Sequence, residues 1–229
     1  PNLPLRRVNL KTLLQKKFRR PVAVANDAQC FAMAEARLGA GKSYASVFGL
    51  TLGTGIGGGW IIDKKLVSGS THTAGEIGHT LISFPNQKNL PPCSCGKIGH
   101  LEEFAGGARL IKRFRDKTGS SLKTIQELEM LYRKNHRLAK AVVQEANLAL
   151  AMSFSNLLTL LNPDCLVVGG GLAKFSDLWQ PAIRIARRLV PFPELKQTPI
   201  LYSKLGDKAV LIGASLLRQN LKPQAPSSR

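Results

Sequence analysis

Acidic residues are scarce in this chain: 14 Asp and Glu stand against 33 Lys and Arg, a formal net charge of +19 over 229 residues. Such an excess suits a nucleic-acid binder whose lysines release counterions from phosphates. The basic residues (Arg6, Lys16, Arg19, Lys88, Lys112, Arg133, Arg187, Lys204) are dispersed, however, and no helix-turn-helix or finger spacing is present. A solvated basic surface is the better reading, and nucleic acid is not expected as a partner. Long apolar runs are missing too. None reaches the roughly 18 residues that a bilayer span takes, and the N-terminus lacks the basic-then-apolar order of a secretion signal. Both absences point to a soluble, cytoplasmic protein without a membrane partner. Cysteine is too sparse for a disulfide framework, with Cys30, Cys93, Cys95 and Cys165 unevenly placed. Cys30 and Cys165 lie in apolar stretches and read as buried, inert thiols.

What is present is ordinary globular composition, 44% hydrophobic and 21% charged, enough for one large domain or two small ones. The spacing predicts a helix over Val8 to Phe18 and a buried strand from Pro21 that ends at Asn26 and Asp27. A second helix runs from Ala28 to a stop at Gly39. From Ala45 the pattern turns to short strands with glycine turns: ASVFGLTL, then GTGIGGG, WIID and KKLVSG. Helices follow over Gly107 to Phe114, Ile125 to Tyr132 and His136 to Leu161. Beyond the break at Asn162-Pro163, DCLVVGGG reads as a buried strand entering a glycine turn. A helix near Asp177 to Leu189, a short strand at Ile200-Leu201 and a helix over Ala209 to Leu217 come next, and the tail KPQAPSSR reads as disordered. Strands alternating with helices, with glycine turns at the strand ends, predict an α/β architecture whose ligands bind on that rim.

LGTGIGGG, Leu52 to Gly59, holds five glycines in eight residues, so backbone N–H groups can converge on an oxyanion with no Cβ in the way. Thr51 and Thr54 add hydroxyls. No Gly-Lys-Ser/Thr follows, so it is not a Walker loop, and a tight strand connection uses the same residues. Gly169, Gly170 and Gly171 likewise suit either a nucleotide or a plain turn. Asp27 suits either an N-cap or a general base with Asn26 as its neighbour. Cys93, Cys95, His79 and His100 supply two thiolates and two imidazoles, the number and softness of a closed tetrahedral zinc site, which would fix a loop and leave no position for catalytic water. Glu76 precedes His79 by three residues and Glu102 follows His100 by two; taken singly each reads as surface charge, whereas a metal-pinned loop would present both carboxylates to sugar hydroxyls. Glu35 and Glu103 read as surface charges, and His72 and His136, with no such company, as solvent-exposed or satisfied histidines.

The order NDA, LGTGIGGG, GEIGH, CSCGKIG with LE behind it, NPDCLVVGGG and LGDKAVLIGA resembles the ROK family of sugar kinases and transcriptional repressors, from about Pro1 to Leu217. The resemblance implies an actin-like ATPase (ribonuclease H-like) α/β fold with its second domain nearly complete and a remnant of the first. On that basis residues 1–44 belong to the small domain and 45–207 to the large domain with its zinc loop and glycine turns. Residues 208–222 form a helix packing back, and 223–229 the tail. The resemblance implies Asp27 as base toward a sugar hydroxyl, with Asn26, Glu76, His79 and Glu102 holding the hexose. Gly53, Thr54, Gly55, Gly57 and Gly58 would face the phosphates, and Gly169, Gly170 and Gly171 the adenosine. It implies ATP with Mg²⁺, a structural Zn²⁺ on His79, Cys93, Cys95 and His100, and a homodimer.

Two departures stand out. His100 takes the place of the family's third zinc cysteine, changing the ligand set to Cys2His2. The family's Asp-x-Gly-x-Thr phosphate loop does not occur, and the chain opens at PNLPLRR, which reads as an incomplete gene product or fragment. Losing half of a phosphate clamp would misplace the transferring group, and about 1 Å of misplacement costs on the order of a hundredfold in rate. The expected function is an ATP-dependent hexose kinase, glucokinase-like or N-acetylhexosamine kinase-like. The alternatives are a sugar-responsive regulator of the same family and a non-catalytic sugar-binding remnant.

Overall fold

The computed structural model describes residues 8–84 and 90–217. Its frame is one five-stranded mixed sheet in the order β3-β2-β1-β4-β5, with β1 at Ser46–Leu52, β2 at Ile56–Ile62, β3 at Lys65–Val67, β4 at Cys165–Gly169 and β5 at Ile200–Tyr202. β1, β2 and β3 form an antiparallel meander, while β4 adds parallel to β1 and β5 parallel to β4. Asp164 starts the parallel pair by accepting the Ala45 and Ser46 amides at 2.9 and 2.8 Å.

Eight helices surround the sheet among the described residues: α1 (Leu10–Phe18), α2 (Asp27–Leu38), α3 (Leu101–Ala105), α4 (Gly107–Thr118), α5 (Ile125–Arg133), α6 (Arg137–Leu161), α7 (Gln180–Leu189) and α8 (Ala209–Leu217). Side chains alternate across the pleat, so each strand feeds two cores. Phe48, Leu50, Leu52, Leu166 and Val168 face the larger one, with Phe104, Leu110, Leu150 and Phe154 from the helices. Val47, Ile61, Cys165 and Val167 face the smaller one, with Phe31, Ala32, Met33 and Ala36 of α2 and with Ala209 and Leu217 of α8. Burial in that second core pushes the Cys165 thiol up to about 12. An inert thiol is what such a site produces.

Helix α2 lies very close to the sheet because glycine faces it. A Cβ on Gly49 would stand 2.7 Å from the Cα of Ala32; one on Gly57, 2.7 Å from the Cβ of Ala28; one on Gly59, 2.9 Å from Gln29 Cα. Alanines four residues apart on the helix thus sit on a glycine floor. At the helix's far side α8 comes equally near, since a Cβ on Gly213 would be 1.7 Å from the Cys30 carbonyl oxygen.

Several expectations change. Pro21 to Asn26 forms no strand: these residues are mostly exposed and pair with no strand among the described residues, and apolar composition alone cannot make a ladder. The glycine segment is not one long turn, for the turn is confined to residues 53–55 and Gly57, Gly58 and Gly59 belong to β2. α3 was not anticipated, α4 runs on to Thr118, and α7 begins at Gln180 after two 3-10 turns. Glu35 and Glu103 are not surface charges, being 0% and 4% exposed. Glu35 Oε1 accepts the Ser203 hydroxyl at 2.6 Å and the Leu205 amide at 2.9 Å, and Oε2 accepts the Ala40 amide at 2.8 Å. Glu103 pairs with Arg109 at 3.1 Å. His136 is satisfied, as expected: it is the N-cap of α6, accepting the Ala139 amide, and meets the Phe114 ring edge-on. The expected tail at 223–229 lies outside the described residues.

Gly213→Ala is expected to lower stability by about 1–3 kcal/mol or more through overpacking. Gly171→Ala, whose Cβ would meet nothing within 4 Å, should leave the melting temperature nearly unchanged. Thermal denaturation of the two variants checks the close approach of α2 and α8.

Candidate active site and metal centre

A cavity of about 430 Å³ opens where α2 begins and β1 turns into β2. Its lining includes Asn26, Asp27, Thr51, Gly53, Thr54, Gly55, Gly57, Glu76, His79, Glu102 and Gly170. The residues expected at the sugar and those expected at the phosphates are therefore neighbours in one space. Gly58, Gly169 and Gly171 do not line it: Gly58 lies against the Phe48 ring and Gly169 against the Phe31 ring. Ser94 and Val210 do line it; they fall inside CSCGKIG and LGDKAVLIGA, at positions to which no role was attached.

Asn26, not Asp27, is the N-cap of α2. Its Oδ1 accepts the Ala28 amide at 2.8 Å, and Gln29 completes a capping box by accepting the Asn26 amide at 3.3 Å. Asp27 is the first helical residue, exposed, with Oδ1 at 2.8 Å from the Ala28 amide. Its Oδ2 has no protein partner among the described residues, so one carboxylate oxygen is held and the other is left to the cavity. A carboxylate there also gains from the helix dipole. Asn26 Nδ2 reaches Glu76 Oε1 at 3.5 Å, linking the helix start to the GEIGH segment.

The glycine turn is gripped from behind by the α3–α4 corner. Gly107 and Ala108 donate their amides to the carbonyls of Gly53 and Thr54 at 2.9 and 3.1 Å, and Glu102 Oε2 accepts the Ile56 amide at 3.0 Å. Gly53 donates to the Gly55 carbonyl at 2.9 Å. A Cβ on Gly55 would fall 2.2 Å from that same Glu102 oxygen, so a side chain there would push the carboxylate off the Ile56 amide. Among the turn's amides, those of Thr54 and Gly55 have no protein partner in the described residues. Two free donors beside a carboxylate-lined cavity form a concavity suited to an anion.

His79 ends a 3-10 turn at Ile77–His79, and His100 precedes α3. Between them Cys93 and Cys95 sit on a knuckle closed by the Cys93 amide on the Lys97 carbonyl at 2.7 Å and the Gly96 amide on Cys93 at 3.0 Å. The four side chains converge, with all ligand atoms within 4.8 Å of one another. His79 Nδ1 and His100 Nδ1 are 3.2 Å apart, Cys95 Sγ is 3.3 Å from His100 Nδ1, and Cys93 Sγ is 3.7 Å from His79 Nδ1. Tetrahedral zinc with bonds of about 2.0 Å to nitrogen and 2.3 Å to sulfur would put N···N pairs near 3.3 Å and N···S pairs near 3.6 Å. The donor set fits the metal in number, softness and spacing. Burial raises the Cys93 thiol above its ordinary value, so an ion entering here would displace a proton.

The family model described as "ROK family" matches residues 1–220. The chain is 34% identical over 217 residues to an N-acetyl-D-glucosamine kinase of Pectobacterium carotovorum, spanning 91% of this chain and 70% of that one. It superposes on a ROK hexokinase from Thermus thermophilus with a TM-score of 0.81 at 29% identity, covering 90% of this chain and 68% of that one. A ROK family glucokinase from Streptomyces griseus, solved with glucose and AMPPNP, gives a TM-score of 0.76 at 30% identity, covering 92% and 72%. A ROK family transcriptional regulator, homologous to the E. coli MLC protein, gives 0.77 at 23% identity over 92% of this chain and 55% of its own, a likeness of fold alone.

Metal analysis of the purified protein is expected to find about one equivalent of zinc per chain. His100→Ala should reduce its retention and His100→Cys preserve it. Less than about half an equivalent in the unmutated protein would remove the site.

Proposed function

This chain belongs to the ROK family, and from that membership we propose that it is a sugar kinase, passing a phosphoryl group from ATP to a hydroxyl of a hexose or N-acetylhexosamine. The observation that carries the reading is the shared cavity, where a half-free carboxylate, Asp27, faces the same space as Glu76, His79 and Glu102 and as the glycine turn with its two free amides. ATP with Mg²⁺, when bound, supplies the phosphoryl group and neutralises its charge.

In this reading Asp27 accepts the proton of the attacking sugar hydroxyl through the oxygen its own helix leaves free. Asn26, Glu76, His79 and Glu102 hold the other hydroxyls, and because each is fixed by a backbone or side-chain partner, little reorganisation accompanies binding. The turn at Gly53, Thr54 and Gly55 offers its amides to the phosphates, with Gly57 and Gly170 in the cavity wall beside it. A structural Zn²⁺ on His79, Cys93, Cys95 and His100 holds the loop that carries Glu102. Residues 45–207 act as the large domain and 1–44 as part of a smaller one, with α2 anchored on the large sheet. The protein acts as a homodimer, for which Leu81, Ile98 and Leu160, exposed at 62, 54 and 81%, offer apolar surface.

Asp27→Asn is expected to abolish phosphoryl transfer, by about a thousandfold or more, while sugar affinity changes little. A coupled assay with glucose and N-acetylglucosamine, paired with calorimetry, measures both. Sugar binding without transfer by the unmutated chain would favour the regulatory or sugar-binding alternative. Full transfer by the variant would remove Asp27 as the base.

A further inference from the structure

Gln29 is a polar side chain in a helix whose other core-facing residues are nearly all small or apolar, and it is only 5% exposed. Both ends of its amide are used. Oε1 accepts the Asn26 amide at 3.3 Å, and Nε2 donates to the Ala74 carbonyl at 3.2 Å. The first bond is local and closes the capping box of α2. The second crosses 45 residues of sequence to the loop that delivers Glu76 and His79. That loop otherwise holds itself: the Ala74 amide goes to Ser68, the Glu76 amide to Thr73 and the Ile77 amide to Gly75. Gly75, at φ +96°, lies so close to β2 that a Cβ would be 2.6 Å from the Gly58 carbonyl. The loop therefore has its height over the sheet set by Gly75, while its lateral distance from α2 is set by side chains. Those are the bonds from Gln29 to Ala74 and from Asn26 to Glu76, the latter at 3.5 Å.

We propose that Gln29 is a positioning residue: it fixes the distance between the helix start that carries Asp27 and the loop that carries Glu76 and His79, without itself touching the sugar. The proposal rests on the sugar-kinase reading for its functional consequence, since two sides of one hexose site must keep a common spacing. A near-attack arrangement tolerates little drift.

The capping role and the cross-link can be separated, because glutamate is the other usual partner at this position of a capping box. Gln29→Glu keeps an acceptor for the Asn26 amide, but loses the donor to Ala74 and sets a carboxylate oxygen against that carbonyl, so it releases the loop by repulsion as well as by the lost bond. Gln29→Met keeps the volume and loses both bonds. A purely structural cap predicts that Gln29→Met, which loses the cap bond, loosens the start of α2 and leaves exchange at 71–79 unchanged. The positioning role predicts that Gln29→Glu and Gln29→Met both weaken binding of glucose or N-acetylglucosamine about tenfold and raise amide exchange across residues 71–79, with the helix 27–38 still protected in the glutamate variant.

The experiment is calorimetry with the two sugars and hydrogen exchange on the whole chain, with melting temperature recorded for each variant. Unchanged exchange at 71–79 and unchanged affinity in Gln29→Glu would overturn the proposal. If the unmutated chain binds neither sugar, the sugar-kinase reading is what fails, and the exchange comparison still decides whether Gln29 holds the loop. Should Gln29→Met not fold, the glutamate variant alone carries the decision, since its cap is intact.

Discussion

A carboxylate with no exposure to water anchors the helix on which the site depends. Glu35 sits near the C-terminal end of α2 with its two oxygens shared among the Ser203 hydroxyl and the amides of Ala40, Leu205 and, at 3.2 Å, Lys204. Taking a charge out of water costs several kcal/mol, which four donors offset only when each is in place. The consequence is geometric. The donors at 203–205 follow β5, so this one side chain ties α2 to the far edge of the sheet. Twelve residues of helix span about 18 Å, and Asn26 and Asp27 stand at the other end. The glycine floor sets the height of the helix over the sheet, Gly213 sets its distance from α8, and Glu35 sets its position along its own axis.

The loop that carries His79, Cys93, Cys95 and His100 and the glycine turn are likewise one mechanical unit. His100 leads into α3, whose second residue, Glu102, receives the Ile56 amide, and the amides that open α4 close on the carbonyls of Gly53 and Thr54. From the other side, Gly78 lies so near β2 that a Cβ would be 2.1 Å from the Ile56 carbonyl. The residue at the start of β2 is held by both halves of the loop that brings the four ligands together. Geometry at the cysteines and geometry at the turn are thereby linked through two short segments, without any long-range motion.

How much of this was readable beforehand differs by residue type. The convergence of His79, Cys93, Cys95 and His100 was legible because two thiols and two imidazoles in one short stretch suit the four positions around a single ion. The helix opening at Asn26-Asp27 was legible because caps are local. The glycines were not, because one residue type answers two demands: Gly53 and Gly55 shape a turn, while Gly57 and Gly59 clear space for Ala28 and Ala32, a demand set by a helix some thirty residues away in sequence. Glu35 was missed because three of its four donors lie about 170 positions later, although a lone acid inside CFAMAEA was a signal that something polar must meet it. Pro21 to Asn26 misled because β-type composition says nothing about whether a partner strand is there to pair.

His79 turns one edge of its ring toward the ligand cluster and also lines the cavity. With Nδ1 on the cluster side, a metal there obliges the ring's proton to sit on Nε2, since a coordinated imidazole nitrogen cannot carry one. Without the metal, the imidazole is free to hold its proton on either nitrogen, and so to accept as readily as to donate. An ion that touches only one nitrogen would thus settle the state of the other, turning an ambivalent group into a permanent donor.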